Sequence, residues 1–397
     1  MRDHYRRRHA PAWIALNEEL GSVRESRRTL EASLPTTLVS GELATPRPAH
    51  ILFRGQYDEE REQVERDVPD VLPPMAEDMP RNRLGFARWL VTGDHPLTAR
   101  VQVNRMWMHL FGEGLVRTPE DFGAQGKFPT HPELLDWLAV EFVNSGWDVQ
   151  ALLRLMMTSS AYRRASNASP DHLALDPENE LYARGPRWRH DGEVLRDTAL
   201  YLSGLLIEEI GGPPVRPYQP AGVWRAVGYT SSNTANYRRG AGEDLYRRSL
   251  YTFWKRTAPP PNMVTFDAPN REACTVQRAR TNTPLQALVL LNDPQFVEAG
   301  RKFGRRVLLE GGATDGERLA WAFRMATSRQ PDADELEVLT RALDAQRDHF
   351  RADPEAALQL LGVGEAPRDE SLDATEHAAW THLATMILNL DEAVSRS

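Results

Sequence analysis

The feature that most constrains this chain is the regularity with which helix start and stop signals punctuate it. Thr283 precedes Pro284, Asp293 precedes Pro294, and Asp332 stands three residues before Glu335. At each point a side-chain oxygen is placed to accept from the unpaired amides of a first helical turn, and a proline in that turn has no amide to leave unpaired. Asp148 stands in the same way before Leu152, Leu153, Met156 and Met157. Gly112 and Gly146 follow the last apolar residue of a helical stripe, where glycine tolerates the left-handed backbone that ends a helix. Between the signals, apolar residues recur at spacings of three and four, as in Ala99, Val103, Met106, Trp107 and Leu110. The pattern predicts a mainly α chain: a multi-helical globular domain with a few short β-strands and long irregular loops.

Thr130-His131-Pro132-Glu133 has capping-box spacing, so residues 130–160 predict an antiparallel helical hairpin with a very short loop. A further helix is expected over 191–210, closed by Gly211-Gly212, and a last one over about 374–394 with Leu383, Met386, Ile387 and Leu390 inward. Gly300 and Gly304 share one helical face and would let a second helix approach closely. Strands are expected at 49–55 and at 248–256, the latter rich in Tyr, Phe, Trp and Thr and ended by Pro259-Pro260-Pro261. Residues 213–245 have no sustained period and read as a long loop. The expected organisation is an N-terminal helical arm and linker over 1–46, followed by one helical domain over 47–397 with a loop-rich insertion at about 211–282. Leu16, Leu20, Val23 and Leu30 give the arm a thin apolar stripe, of the kind that packs on a neighbour. No repeat at a fixed period occurs, which argues against a solenoid.

Composition narrows function by exclusion. The 397 residues include one cysteine, Cys274, so an internal disulfide and a site of several thiolates are both ruled out within this chain. A formal net charge of −8 argues against general nucleic-acid binding. The longest apolar runs, such as residues 287–291, fall far short of the roughly 20 residues that a membrane-spanning helix needs, so no membrane span is expected. Arg2, Arg6, Arg7 and Arg8 look like the start of an export signal, but no apolar stretch follows them.

Several longer segments carry a resemblance. They are Asn104-Arg105 with Trp107, Phe111-Gly112, Gly114-Leu115-Val116, the runs from Thr118 to Gly123 and from Thr130 to Leu138, and Pro217-Tyr218-Gln219-Pro220. Further along come the run from Tyr246 to Tyr251, Phe266-Asp267-Ala268-Pro269, the run from Thr281 to Leu288, and Leu291-Asn292-Asp293-Pro294. Together, over about 47–397, they resemble planctomycete-specific domain one, a bacterial family of unknown function. The resemblance implies an extracytoplasmic protein, periplasmic or secreted in its full-length setting. It also implies upstream partners, namely a second planctomycete domain and a cytochrome c-like module, and makes the 1–46 arm the remnant of a connection to a missing upstream domain. Two stretches depart from the family pattern: Tyr57-Asp58-Glu59-Glu60 lacks a Pro-Gly turn, and Arg187-Trp188-Arg189-His190 carries Trp188 and His190 where the family has Arg and Leu.

No cofactor is expected in this chain. Covalent haem attachment needs Cys-x-x-Cys-His, which the sequence lacks, and Met106, Met108 and His109 read as parts of a packed helix rather than haem ligands. Among His95, His109, Asp121, His131 and Glu133 no pair has the His-x-x-x-His spacing of a helical zinc site, so no metal is expected. Cys274 has no adjacent histidine, and neither a Gly-x-Ser-x-Gly elbow nor a phosphate-binding glycine loop occurs. Asp121, Glu193 and Asp267 are the candidates for acid–base catalysis by paired carboxylates, while Glu193 and Asp197 are equally suited to pair with Arg196 or Arg187 as structural ions.

The strongest feature is electrostatic. Residues 238–280 hold nine bases and four acids, whereas residues 310–397 hold eight bases and eighteen acids. Guanidinium groups interleaved with aromatic rings suit an anionic or carbohydrate ligand, through hydrogen-bond forks and stacking. Arg247, Arg248, Tyr251, Trp254, Arg271 and Arg278 are the expected ligand contacts, with an anionic polysaccharide as the expected partner. Pairing of the same arginines with the acidic C-terminal helices is the alternative. The function expected is a non-catalytic binding or assembly module; the alternatives are a polysaccharide-acting hydrolase or a redox partner of a cytochrome c-like module.

Overall fold

The computed structural model describes residues 2–34 and 36–396. Half of the chain is helical and 4% is strand, with seventeen helices among the described residues, so the fold is mainly α with a few short strands. The chain divides into two units, one ending at His95 and the other beginning at Pro96.

The first unit opens with α1 (Arg2–His9) and α2 (Pro11–Ser33), separated where Pro11 takes the first turn of α2. No residue of α2 is buried, and its thin stripe of Leu16, Leu20, Val23 and Leu30 is exposed. β1 (Ala49–Leu52) and β2 (Glu60–Val64) form an antiparallel hairpin with a register shift between His50 and Leu52. α3 (Arg83–Leu90) is capped by Asn82 and places Trp89 in a small core with Val68 and Met75.

In the second unit, α4 (Thr98–Phe111), α5 (Pro132–Asn144) and α6 (Val149–Thr158) close one core around Val103, Trp107, Phe111, Leu135, Leu138 and Met156. The 130–160 hairpin is present: Asp148 accepts from the Ala151 amide at 2.9 Å, and Gly146 turns the chain at φ 71°. The capping box expected at Thr130 does not form. The Thr130 amide donates to the Leu115 carbonyl at 2.9 Å, which holds Thr130 to the preceding loop, and His131 stands at the cap position, its ring bonded to the Thr130 hydroxyl at 3.0 Å and not to a helix amide. Asn104, fully buried, pins that loop by donating to the Val116 carbonyl at 2.9 Å and accepting from the Val116 amide at 2.8 Å. A Cβ at Gly114 would lie 2.6 Å from the same Asn104 amide, so only glycine fits beside it.

α7 (Pro170–Leu175), β3 (Trp188–Arg189), α8 (Gly192–Ser203), α9 (Val223–Val227) and α10 (Pro261–Val264) follow among long loops. α8 stops well before residue 210 because Gly204 takes the left-handed conformation at φ 73°, after which Ile207 bridges Arg247. In place of the strand expected at 248–256 stand a 3-10 turn, Ser249–Tyr251, and one isolated bridge from Thr252 to Val215. Asp197 accepts from the Ser249 amide at 2.8 Å, occupying a donor that a strand ladder would need.

α11 (Pro284–Asn292), α12 (Pro294–Glu310), α13 (Asp315–Thr327), α14 (Ala333–Ala352), α15 (Pro354–Leu361), α16 (Ala374–Leu388), α17 (Asp391–Val394) and β4 (Ser395–Arg396) complete the fold. Thr283, Asp293 and Asp332 cap α11, α12 and α14 as the sequence predicts. The single terminal helix expected over 374–394 is divided, with Leu390 in extended conformation at the start of the short α17. Leu383 and Ile387 lie in the core, whereas Met386, expected inward, is exposed.

α12 packs along α16 and α8 at the centre of the larger core. The close approach expected at the paired glycines is present. A Cβ at Gly300 would lie 2.2 Å from Thr385 Oγ1, and one at Gly304 would lie 2.9 Å from backbone atoms of Trp380 and Thr381. Gly304→Ala therefore destabilises the protein by about 1–3 kcal/mol, because the added methyl meets backbone that has no rotamer to retreat into. Urea denaturation followed by circular dichroism measures this, and a midpoint equal to that of the wild type would refute the packing.

Candidate ligand-binding hollow

α8 has two unlike faces. Leu195, Arg196, Ala199, Leu200 and Leu202 are buried, while Glu193, Val194, Asp197, Thr198 and Tyr201 line an open hollow of about 830 Å³. Glu193, Asp197 and Tyr201 recur at every fourth position, which stacks them one above another on the helix. Arg248, Leu250, Arg271 and Arg278 of the arginine-rich segment line the same hollow.

Arg196 sets this arrangement from beneath. It is 1% exposed, and its guanidinium donates to Gln295 Oε1 at 2.6 Å, to the Leu245 and Arg247 carbonyls at 2.8 Å each, and to Ser249 Oγ at 3.1 Å. Those bonds tie the backbone of 245–249 to α8 and α12. Burial lowers its pKa to about 10, so the group remains charged at neutral pH. The neighbouring Asp197 accepts from the Ser249 amide and hydroxyl at 2.8 and 2.7 Å, and Arg248 Nε stands 3.7 Å from its second oxygen.

Arg278 grips Glu193 with both terminal nitrogens, at 2.7 and 3.1 Å, and stands 3.6 Å from Asp191. Burial acts to raise the Glu193 pKa, but the hydrogen bonds and charge of Arg278 outweigh it and hold the carboxyl below its ordinary value. Glu193 and Asp197 are thus structural ions: Asp197 lies 3.6 Å from Arg196 Nη1, one of the pairings the sequence suggests, whereas Glu193 takes Arg278 and Arg187 reaches Asp391 instead. Pairing with the acidic C-terminal part holds for Arg239, which meets Glu365 at 3.1 Å. Arg248 and Arg256 turn to Asp197 and Glu272, as Arg278 does to Glu193.

The expected ligand contacts are divided between wall and interior. Arg248, Arg271 and Arg278 are on the wall. Arg271 is exposed, has a left-handed backbone at φ 65°, and lies 4.1 Å from the centre of the Trp254 ring, whose Nε1 donates to the Asn270 carbonyl. Arg247 lies inside. It is 5% exposed, donates to the carbonyls of Glu209 and Gly211, and covers the Tyr251 ring at 4.0 Å, while the Tyr251 hydroxyl accepts from the Gly211 amide. Arg247 and Tyr251 are a strut for the 209–211 loop.

Asp267 lies away from the hollow. It accepts from Arg189 Nη2 at 2.5 Å and from the Thr281 amide and hydroxyl at 2.9 Å each. Burial acts to raise its pKa, and these bonds bring it below the ordinary value instead. Asp121 accepts from the Gly123 amide at 2.7 Å within its own turn. Met108 is buried and the adjacent His109 exposed, Cys274 is exposed, and among the described residues no group of three or more His, Cys, Asp or Glu side chains is placed to hold a metal ion.

Tyr201, Leu250 and Ile210, which are 61%, 72% and 90% exposed, belong to the hollow and went unnoticed in the sequence reading. The signal was present in α8: Glu193, Asp197 and Tyr201 form a stripe at fourfold spacing opposite the apolar Leu195, Ala199 and Leu202.

Residues 82–343, more than half of the chain, match the family described as PSD1, protein of unknown function (DUF1553), and the chain belongs to that family. No curated protein and no solved structure matches the chain. Among the described residues no helix is long and apolar enough to cross a membrane.

The depressed Glu193 pKa has a signed consequence. Its ionisation contributes stability that is complete above the ordinary glutamate value of 4.5 and is lost as the pH falls through the lower folded-state value. Glu193→Gln removes that term, so its melting temperature falls less steeply than that of the wild type on acidification below that value. Melting curves across an acidic pH series check this, and parallel curves for the two proteins would contradict it.

Proposed function

We propose that this PSD1 domain is a non-catalytic binding module whose α8 hollow takes a polysaccharide segment. The observation that carries the reading is the make-up of the hollow. Its four carboxylates, Asp191, Glu193, Asp197 and Glu208, stand among three guanidinium groups, Arg248, Arg271 and Arg278, beside the exposed Tyr201 ring. Ion pairing holds most of these acceptors and donors in fixed positions. Carboxylates accept from sugar hydroxyls, guanidinium groups donate to them, and an aromatic ring offers a flat apolar face to the C–H side of a pyranose. The near balance of charge favours a neutral or weakly charged chain over a polyanion. Apolar Val194, Leu206, Ile210 and Leu250 supply the non-polar part of the surface.

The reading is non-catalytic because the candidate acids are engaged elsewhere. A general acid needs a raised pKa, whereas Glu193 and Asp267 are both held below their ordinary values by arginine and hydroxyl partners. An extracytoplasmic setting, an upstream second planctomycete domain and a cytochrome c-like partner belong to the same proposal and rest on the sequence resemblance. So does the lack of a bound cofactor in this chain, which rests on the missing haem-attachment motif.

Calorimetric titration of the whole chain with a panel of neutral and sulfated polysaccharides tests the reading. Binding of neutral chains that is insensitive to added salt, and lost in Tyr201→Ala and Arg271→Ala, is the expected result. Binding confined to sulfated chains, or release of reducing ends during incubation, would overturn it.

A further inference from the structure

A second concave feature of the same unit shares no lining residue with the hollow. It is a cavity of about 500 Å³ whose wall includes Gly112, Trp188, Arg189, Arg280, Thr281 and Asn282. Phe111-Gly112, Gly114, Thr130 and Thr281-Asn282 bring residues of four separate segments of the family resemblance to this one space. Gly112 admits Trp188 there: it has φ 85°, and a Cβ would lie 3.0 Å from the Trp188 ring.

Five arginines and three glutamates line the cavity. Arg117 pairs with Glu178 and Glu180, Arg187 pairs with Asp391, and Arg184 donates to the carbonyls of Asp176 and Pro177. Arg189 and Arg280 are left with donors to place. Arg189, with its side chain 10% exposed, gives Nη2 to Asp267, while its Nε and Nη1 are buried without a hydrogen-bond partner among the described residues. Arg280 gives Nη1 to the Gly112 carbonyl at 2.9 Å and faces the Trp188 ring at 5.5 Å. Burial lowers the Arg280 pKa; the charges of Asp191 and Glu113 oppose this, and the charge of Arg189 lowers it further. Buried guanidinium donors without acceptors, as at Arg189, are costly, and the exposed Arg280 beside it is a second cation; one oxyanion held by both satisfies the first and screens their repulsion.

We propose that this cavity is an oxyanion-binding site in which Arg189 and Arg280 hold a carboxylate or sulfate group. Asp267 is a positioning residue: it fixes Arg189 through Nη2 and so directs the remaining donors. The site recognises either a free small anion or an acidic substituent on a larger polar ligand, and it does not depend on sugar binding in the α8 hollow.

Sodium sulfate, acetate and glucuronate are titrated into the whole chain at constant ionic strength with chloride as the balancing salt, read by thermal shift and calorimetry. Sulfate stabilises proteins generally by exclusion from their surface, so the variants are the control. Saturable binding that weakens about tenfold or more in Arg280→Ala, whose side chain bonds a single carbonyl, is expected. Arg189→Lys is expected to weaken it similarly, and if that variant fails to fold, Arg280→Ala alone decides. Tighter binding of glucuronate than of acetate identifies a sugar acid as the source, and equal binding identifies the free anion. No saturable binding of any of the three, or a response identical in wild type and Arg280→Ala, overturns the proposal.

Discussion

The desolvated guanidinium of Arg196 is the constraint on which the concave surface beside α8 depends. An arginine taken out of water must find acceptors for its donors, and this one takes the Leu245 and Arg247 carbonyls, the Ser249 hydroxyl and the Gln295 amide. With those carbonyls engaged and the Ser249 amide held by Asp197, residues 245–249 run as a turn rather than a strand. The two arginines that follow Tyr246 then diverge, Arg247 inward to the 209–211 loop and Arg248 outward to the hollow. The rest of the wall is built on that divergence.

The carboxylates of the hollow have a role that their number alone conceals. Asp191, Glu193 and Asp197 sit against arginine or backbone donors, so the surface offers acceptors whose orientation is set before any ligand arrives. Holding a polar group in place in advance reduces the ordering cost of association. It also removes these groups from proton transfer, since a carboxylate held by arginine gives up its stabilisation when it is protonated. Binding and acid catalysis place opposite demands on the same residues, and the geometry at Glu193 favours the first.

Local chemistry was legible in the sequence wherever one turn of chain decided the outcome. Asp148, Thr283, Asp293 and Asp332 cap helices because the acceptor and the amides it serves lie within three residues of each other. The paired glycines of α12 were legible for the same reason. The box at Thr130 failed because a residue fifteen positions away, Leu115, competed for the threonine backbone. Arg247 and Arg248 differ in burial although they are neighbours, and nothing local separates them: the acceptors that bury Arg247 belong to Glu209 and Gly211. The arginine-walled cavity was least legible, since its residues are spread from Phe111 to Ser395 and each segment alone reads as a turn.

The pairing of β3 with β4 joins residues more than two hundred positions apart, Trp188 with Arg396 and Arg189 with Ser395. Arg396 also donates to the Leu110 carbonyl and lies 3.8 Å from the centre of the Tyr162 ring, so the clasp reaches the helices of the smaller core. During synthesis the ribosome delivers Arg189 long before the strand that pairs with it. The nascent domain therefore passes through a stage in which that cation is open to the medium, and its burial waits for β4.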